Sequence, residues 1–465
     1  MNKTTIIRLL FFTCCTATLL PRLTWALDPF STEDHMEYGG LNHTVDINRC
    51  DKEKINTPLT LVAVVDLTLC NNPQTRSVWA SAKGQAALLG VSSAAYLPTL
   101  SALASVSNNQ SQTGTQAQVN SLSQNASLAA SYLLYDFGGR SATVENAKQL
   151  LIAANATRDA TLQSNFLTAI QGYYSLLSAR ASVESFKVDE AKAQESLAAA
   201  TARYQAGVAT PVDRLQAQTT LSQAKLNRIK GEGDASNAQG TLANIMGFDA
   251  SQPYTLQTLA EVTPDQAIEQ DIGKLIAEAR RKRPDLAAAE SQIKAAEAQM
   301  QATRATGKPA ITLGAMASVS NPEIQSSSLG VTLSVPLFSG FKTNYQARVA
   351  EAQLDGKVAE RDRLANQIAL DVWKAYQGLL TNSQALHSAE DLVLAATQSE
   401  RMILGRYKAG VGNILDTLTA QSALANARQQ RVAAFYNFLI SRFALAQAIG
   451  KLDLTQLSSQ NQLLQ

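Results

Sequence analysis

Charge is sparse in this chain and almost evenly split. Its 465 residues carry 40 Lys and Arg against 38 Asp and Glu, a net of +2 with 17% charged. No basic run is interleaved with aromatics, which excludes the electrostatic footprint of a nucleic-acid binder. Aromatics reach only 6%, and the 45% hydrophobic fraction is swollen by alanine. Alanine is the best helix former but buries little area per residue. This composition suits long helices packed side by side rather than one thick core. The only histidines, His35, His43 and His387, are scattered without ligand spacing. No Gly-rich phosphate loop, His-x-x-x-His or Gly-x-Ser-x-Gly stands in a fitting context. No catalytic site, metal or cofactor is therefore expected, and the chain does not read as an enzyme. Acidic pairs such as Asp189-Glu190 and Glu390-Asp391 read as solvated helix charges.

Long apolar runs are also missing. After the N-terminus, nothing approaches the roughly 18 consecutive apolar residues of a spanning helix. A membrane, if entered, must be entered by strands. Residues 1–26 read as a secretory signal: Lys3 and Arg8 precede the apolar Phe11–Leu20, and Thr24-Trp25-Ala26 offers a cleavage site. Phe12-Thr13-Cys14 is a poor lipoprotein box. Cys14 and Cys15 would leave with the signal. Cys50 and Cys70 then form an even pair in an oxidising compartment, which predicts one disulfide.

What is present is a duplication. Arg203-Tyr204-Gln205-Ala206-Gly207-Val208, followed by Asp213, Leu215 and Gln218, returns as Arg406-Tyr407-Lys408-Ala409-Gly410-Val411, followed by Asp416, Leu418 and Gln421. The offset is 203 throughout (407 − 204). Asn72-Pro73 and Pro98 match Arg283-Pro284 and Pro309 at an offset of 211 (284 − 73 and 309 − 98). The first copy is thus longer in between, and such differences normally fall in surface loops.

Each copy reads as helix, strand, strand, long helix, turn, helix. A helix is expected over about 72–95, with Pro73 in its first turn. Alternation then marks strands: Leu100, Ala102, Ala104 and Val106; Leu128, Ala130, Tyr132 and Leu134; Ile311, Leu313, Ala315, Ala317 and Val319; Leu329, Val331, Leu333, Val335 and Leu337. Small polar residues lie between them. Each segment has about the 9–11 residues that a tilted strand needs to cross an outer membrane. A soluble sheet would alternate too; the signal peptide and the absence of charge favour lipid on one face and water on the other. Four strands leave open edges, which lipid does not tolerate. Copies of the chain must close the sheet; three would give twelve strands, and closure alone leaves four copies open. Helices follow over about 140–204 and 342–407 and resume to about Ile245 and Ile449. Leu415, Leu418, Ser422, Ala425, Val432, Phe435 and Leu439 form a heptad-like stripe. The domain reading is a tail at 27–58, a first repeat at 59–249, a connector at 250–272, a second repeat at 273–452 and a tail at 453–465.

In these residues the chain resembles the TolC family of outer-membrane efflux channels. The carrying motifs are Asn71-Asn72-Pro73-Gln74, Lys282-Arg283-Pro284-Asp285-Leu286, Tyr96-Leu97-Pro98-Thr99-Leu100, Ser334-Val335-Pro336-Leu337-Phe338-Ser339-Gly340 and the two Arg-Tyr-x-Ala-Gly-Val turns. The resemblance spans about 59–452. It implies a homotrimer with one twelve-stranded outer-membrane β-barrel and a twelve-helix α-barrel reaching into the periplasm. It also implies a periplasmic adaptor and an inner-membrane pump, such as an ABC or RND transporter, as partners of a passive, gated duct.

The resemblance assigns roles residue by residue. Gly207, Val208, Gly410 and Val411 match the adaptor-docking tips. Asp416 matches an acidic ring at the entrance constriction, with Tyr407 and Thr419 beside it. Thr419 stands where the family archetype has a second aspartate, and Gly412 where it has an arginine that helps hold the gate shut. A single acid ring and a different latch are expected here; an Asp that merely caps its helix would have the same position. Pro336, Gly138, Gly139 and Gly340 mark the strand-to-helix transitions. The poor lipid box leans the cargo toward type I protein secretion, with multidrug efflux beside it. A non-pore periplasmic coiled-coil scaffold or adaptor is the alternative reading.

Overall fold

A computed structural model describes residues 28–35, 58–111, 119–257, 271–321 and 324–452. The signal segment 1–26, most of the tail and connector, residues 453–465 and Cys50 lie outside the described residues. Eight α-helices and four strands follow in order among those that are described. They are α1 (Leu61–Asn71), α2 (Pro73–Ser93), β1 (Thr99–Ser111), β2 (Val119–Tyr135), α3 (Gly139–Gln205) and α4 (Pro211–Ile245). Then come α5 (Ile272–Lys282), α6 (Pro284–Ala305), β3 (Ala310–Asn321), β4 (Ile324–Ser334), α7 (Lys342–Lys408) and α8 (Ile414–Ile449). The two long helices have 67 residues each, and their return helices 35 and 36.

The chain divides into two units. One holds Ala80–Asn155 and Ala289–Glu360, with residues 28–35. Its sheet is antiparallel in the order β1-β2-β3-β4. The register aligns the apolar positions into rows across all four strands: Leu100, Ala130, Ala315 and Leu329 form one. On the other face Thr99, Ser131, Gly314 and Gly330 form another. Cross-strand partners share a face, so the sheet has one mainly apolar and one mainly small polar side, with Leu103, Leu133, Met316 and Ile324 among the exceptions on the polar side. The apolar side is uncovered: Leu100 is 70% exposed and Leu329 76%.

The structure corrects three strand expectations. A bulge at Leu134 places Tyr135, not Leu134, opposite Ile311; the extra residue re-aims the side chain that follows. Strand β4 ends at Ser334, so Val335 and Leu337 lie beyond the ladder, where Pro336 lacks the N–H to extend it. The first hairpin's extra length lies partly in its strands, with 13 and 17 residues against 12 and 11. It is not confined to a loop.

The second unit holds Ala156–Ala288 and residues 361–452, with the stretch ending at Trp79. Phe166, Tyr173, Leu242 and Phe438 are buried in its main core, against α1 residues Val64 and Val65. Among the described residues α8 is the one helix apolar and long enough to span a bilayer. Its Phe438, Leu439 and Phe443 are instead buried in this core.

The Asn-Pro and Arg-Pro motifs have a packing reason. Gly247 (φ +81°) and Gly450 (φ +78°) end α4 and α8 in left-handed conformations. A Cβ on Gly247 would stand 2.6 Å from the Asn71 carbonyl oxygen, and one on Gly450 3.1 Å from that of Lys282. The helix breaks before Pro73 and Pro284 are thus the seats of these two glycine caps. Asn72 also donates its amide to the Ile245 carbonyl at 2.9 Å. Part of the connector packs rather than dangles: Leu256 pairs with Leu59 in a parallel bridge, and the Tyr254 hydroxyl donates to Gln239 O at 2.6 Å. Cys70 is disulfide-bonded; its expected partner, Cys50, lies outside the described residues.

Candidate functional site

Both long helices end in the same turn. Val208 N–H donates to Arg203 O at 3.0 Å and Gly207 N–H to Tyr204 O at 3.0 Å. Val411 N–H donates to Arg406 O and Gly410 N–H to Tyr407 O, each at 3.1 Å. These paired bonds form the Schellman motif, whose left-handed position is taken by Gly207 (φ +76°) and Gly410 (φ +82°). The residue after that glycine usually packs back on the helix. Here the residue it would meet is an arginine, and Val208 and Val411 stay 65% and 70% exposed. Two apolar side chains therefore project from the hairpin tips.

Beyond the turns the tips diverge. Thr210 and Asp213 form a capping box: Thr210 N–H donates to Asp213 Oδ2 at 2.9 Å, and Asp213 N–H to Thr210 Oγ1 at 3.3 Å. In the second tip Asn413 caps alone, its Oδ1 accepting from Leu415 N–H at 3.0 Å. Asp416 holds the position of Asp213 in the first turn of α8. It is exposed and has no hydrogen-bond or ion-pair partner among the described residues. Thr419, three residues on, shares that exposed face.

Tyr407 is buried with Ile414 and Leu418. Arg203 stacks its guanidinium 4.8 Å from the Tyr407 ring and donates to the Tyr407 carbonyl at 3.0 Å, joining the hairpins. Burial pushes the Tyr407 phenol upward, against the pull of Arg203. Its counterpart Tyr204 is 37% exposed. The structure thus brings Tyr407 into the tip core and leaves Asp416 and Thr419 on the surface beside it.

Further along, the expectation of solvated charges at Asp189 and Glu190 is corrected. Asp189 pairs with Arg428 of α8 at 3.3 Å, and Glu190 with Arg228 of α4 at 2.5 Å. Lys192 pairs with Glu400 of α7 at 3.0 Å, and Ser196 with Gln421 at 3.0 Å. Adjacent acids point to different neighbours because helix positions are 100° apart, so each found a cation on a different helix. Asp189 lines a cavity of about 330 Å³ with Thr219, Asn227 and Asn426. Its Oδ2 is buried without a partner. Desolvation raises the Asp189 pKa although Arg428 opposes it.

At the strand-helix transitions, Gly138 (φ +92°) and Gly340 (φ +64°) take left-handed conformations, but so do Phe137 (φ +52°) and Phe341 (φ +61°). The sequence reading missed both phenylalanines. Left-handed backbone at a non-glycine residue costs about 1–3 kcal/mol. The Asp136 carboxylate accepts from the Arg140 N–H and caps α3. Pro336 lies two residues past the end of β4.

A family model described as "Outer membrane efflux protein" matches residues 64–248 and 275–451. Protein CyaE of Bordetella pertussis is 28% identical over 402 residues, covering 85% of this chain and 84% of the relative. Outer membrane protein TolC of Vibrio cholerae is 25% identical over 399 residues, covering 82% and 89%. Among solved structures, the outer-membrane channel OprN aligns with a TM-score of 0.74 at 20% identity, covering 84% and 90%. The open-state MtrE outer membrane channel of Neisseria gonorrhoeae aligns at 0.73 and 22%, covering 84% and 89%. At such identities these structures speak for the fold.

Proposed function

The chain belongs to the outer membrane efflux protein family and is an outer-membrane export channel, and from that premise we propose that three copies share one twelve-stranded barrel continued by a twelve-helix periplasmic duct. The observation that carries this reading is the sheet. Its strands contain no charged residue, its apolar rows are exposed, and the outer edges of β1 and β4 have no partner strand among the described residues. Each unpaired backbone group in hydrocarbon costs several kcal/mol. Identical neighbours that pair β1 with β4 remove that cost.

The helical tips are the pump-side end. Val208 and Val411, lifted on Gly207 and Gly410, form the adaptor-docking knobs. Asp416 lines the constriction as one acidic ring per trimer; three like charges in a narrow pore favour cations. Tyr407, held by Arg203, is the latch that steadies the second tip, and Thr419 flanks the acid. The adaptor and an inner-membrane pump of the ABC or RND kind supply specificity and energy. The cargo leaning is type I protein export, with multidrug efflux as the second possibility. Purified protein in detergent should run as a heat-modifiable trimer and conduct ions in a planar bilayer. A monomer that passes no current would overturn the shared barrel. Deletion of the gene, followed by comparison of secreted proteins with drug susceptibility, separates the two cargoes.

A further inference from the structure

Where the sheet turns into helices, three junctions crowd together. A Cβ on Gly139, at the start of α3, would lie 3.2 Å from Ala305 Cβ at the end of α6. A Cβ on Gly307, just after α6, would lie 2.9 Å from Thr343 Cγ2 at the start of α7. These approaches gather Arg140, Arg304, Lys308 and Lys342 at one end of the sheet, with Arg348 two turns into α7. None of the five has a carboxylate partner among the described residues. Asp136, four residues before Arg140, is used in capping the Arg140 N–H, and Glu351, three residues after Arg348, is exposed and makes no ion pair with it. Arg140 illustrates the deficit: it is half-buried, yet its guanidinium donates only to the carbonyls of Leu133 (2.9 Å) and Ala95 (3.2 Å).

Aromatic rings share this rim. Arg140 lies 4.2 Å from the Tyr96 ring centroid, and Arg348 5.7 Å from that of Tyr345. Tyr135 and Phe137 meet edge to face at 4.7 Å, as do Phe338 and Phe341 at 5.6 Å. The bulge places Tyr135 on the apolar side of the sheet, and the Phe137 ring packs against it. Phe338 is 77% exposed. Exposed aromatic rings at the end of a lipid-facing sheet sit at headgroup depth. Cations at that depth, lacking protein anions, are completed by lipid anions.

We propose that this collar binds the anionic headgroup of a glycerophospholipid, with phosphatidylglycerol as the reference ligand, in the leaflet on the helical side of the membrane. The rings would lie against the acyl-glycerol region while Arg304, Lys308, Lys342 and Arg348 hold the phosphate. The inference rests on the membrane reading of the sheet, and the test keeps the two apart. The full-length trimer is reconstituted in phosphatidylcholine bilayers and probed with spin-labelled phosphatidylglycerol or phosphatidylcholine. A motionally restricted phosphatidylcholine signal reports insertion by itself; its absence would sink the membrane reading. Given insertion, phosphatidylglycerol should be preferred by about fivefold or more, the scale of one cation at a charged surface. The fourfold variant R304Q/K308Q/K342Q/R348Q, which spares the structural Arg140, should insert and lose most of that preference. An inserted wild type with no preference, or a variant that keeps it, overturns the proposal.

Discussion

Position 209 in the first hairpin turn is alanine, and its counterpart 203 residues later is Gly412. The same backbone motif closes both turns, and in the second the chain presses back onto its own helix. A Cβ on Gly412 would stand 2.8 Å from the Tyr407 backbone nitrogen. The tyrosines follow suit: Tyr407 is buried at 6% exposure, and Tyr204 is not. The aspartates diverge as well, Asp213 spent on a capping box and Asp416 left unpartnered. Duplication supplied one hairpin design; what differs is a second tip closed over its tyrosine and a first whose tyrosine stays at the surface beside Arg214. The second tip alone presents a free acid.

The largest break in this comparison should come from Tyr407→Ala. It removes the side chain packed between Ile414, Leu418 and Arg203, and buried aromatic truncations cost about 3–5 kcal/mol. Tyr204→Ala, on an exposed ring, should cost less than about 1 kcal/mol. Limited proteolysis at the tips measures both; equal protection would show that the tips are equivalent after all. Next in size is Gly412→Ala. Its added methyl meets backbone rather than a flexible side chain, and overpacking of this kind costs about 1–3 kcal/mol. Ala209→Gly should cost about 1 kcal/mol or less, through backbone entropy alone. A thermal shift that is the same for both would remove Gly412 as the cause of the tighter turn.

The aspartates separate stability from permeation. Asp213→Asn should lose about 0.5–1 kcal/mol of capping and leave ion selectivity unchanged. Asp416→Asn should leave stability nearly unchanged, within about 0.5 kcal/mol, while cation preference and block by multivalent cations fall. Reversal potentials across a salt gradient report this. Unchanged selectivity in Asp416→Asn would place the constriction elsewhere.

Much of this architecture was legible in the chain. The 203-residue echo marked both turns, and period-two alternation located all four strands, because side-chain direction in a strand depends only on parity. Parity is also where the reading failed. One bulged residue, Leu134, shifts Tyr135 to the apolar face, and nothing in Leu133-Leu134-Tyr135 announces it. The left-handed Phe137 and Phe341 were hidden because each follows or precedes a glycine that looked sufficient for the bend. Asp189 and Glu190 were misread since a helical acid's surroundings depend on which helix packs against it, and the return helices bring Arg428 and Arg228 from 239 and 38 residues away. The Gly412 constraint depends on a backbone contact across the turn, which has no composition signal.

The smallest effect tests what the two hairpins hold in common. Asp189 joins them through Arg428, yet burial outweighs that attraction and its pKa is raised. The sign follows from linkage. A carboxyl whose folded pKa lies above its unfolded value binds protons more readily when folded, so stability falls as pH rises through the interval between the two. Acidification through that interval should therefore tighten the hairpin pair rather than loosen it. Asp189→Asn keeps the shape, fills the position with a neutral group and should remove this slope while changing neutral-pH stability little. Melting temperature against pH, in wild type and variant, gives the answer. Were the wild type to lose stability on acidification in a way that Asp189→Asn abolishes, the Arg428 pair and not desolvation would govern this residue. The join between the hairpins would then be an ionic clamp rather than a strained one.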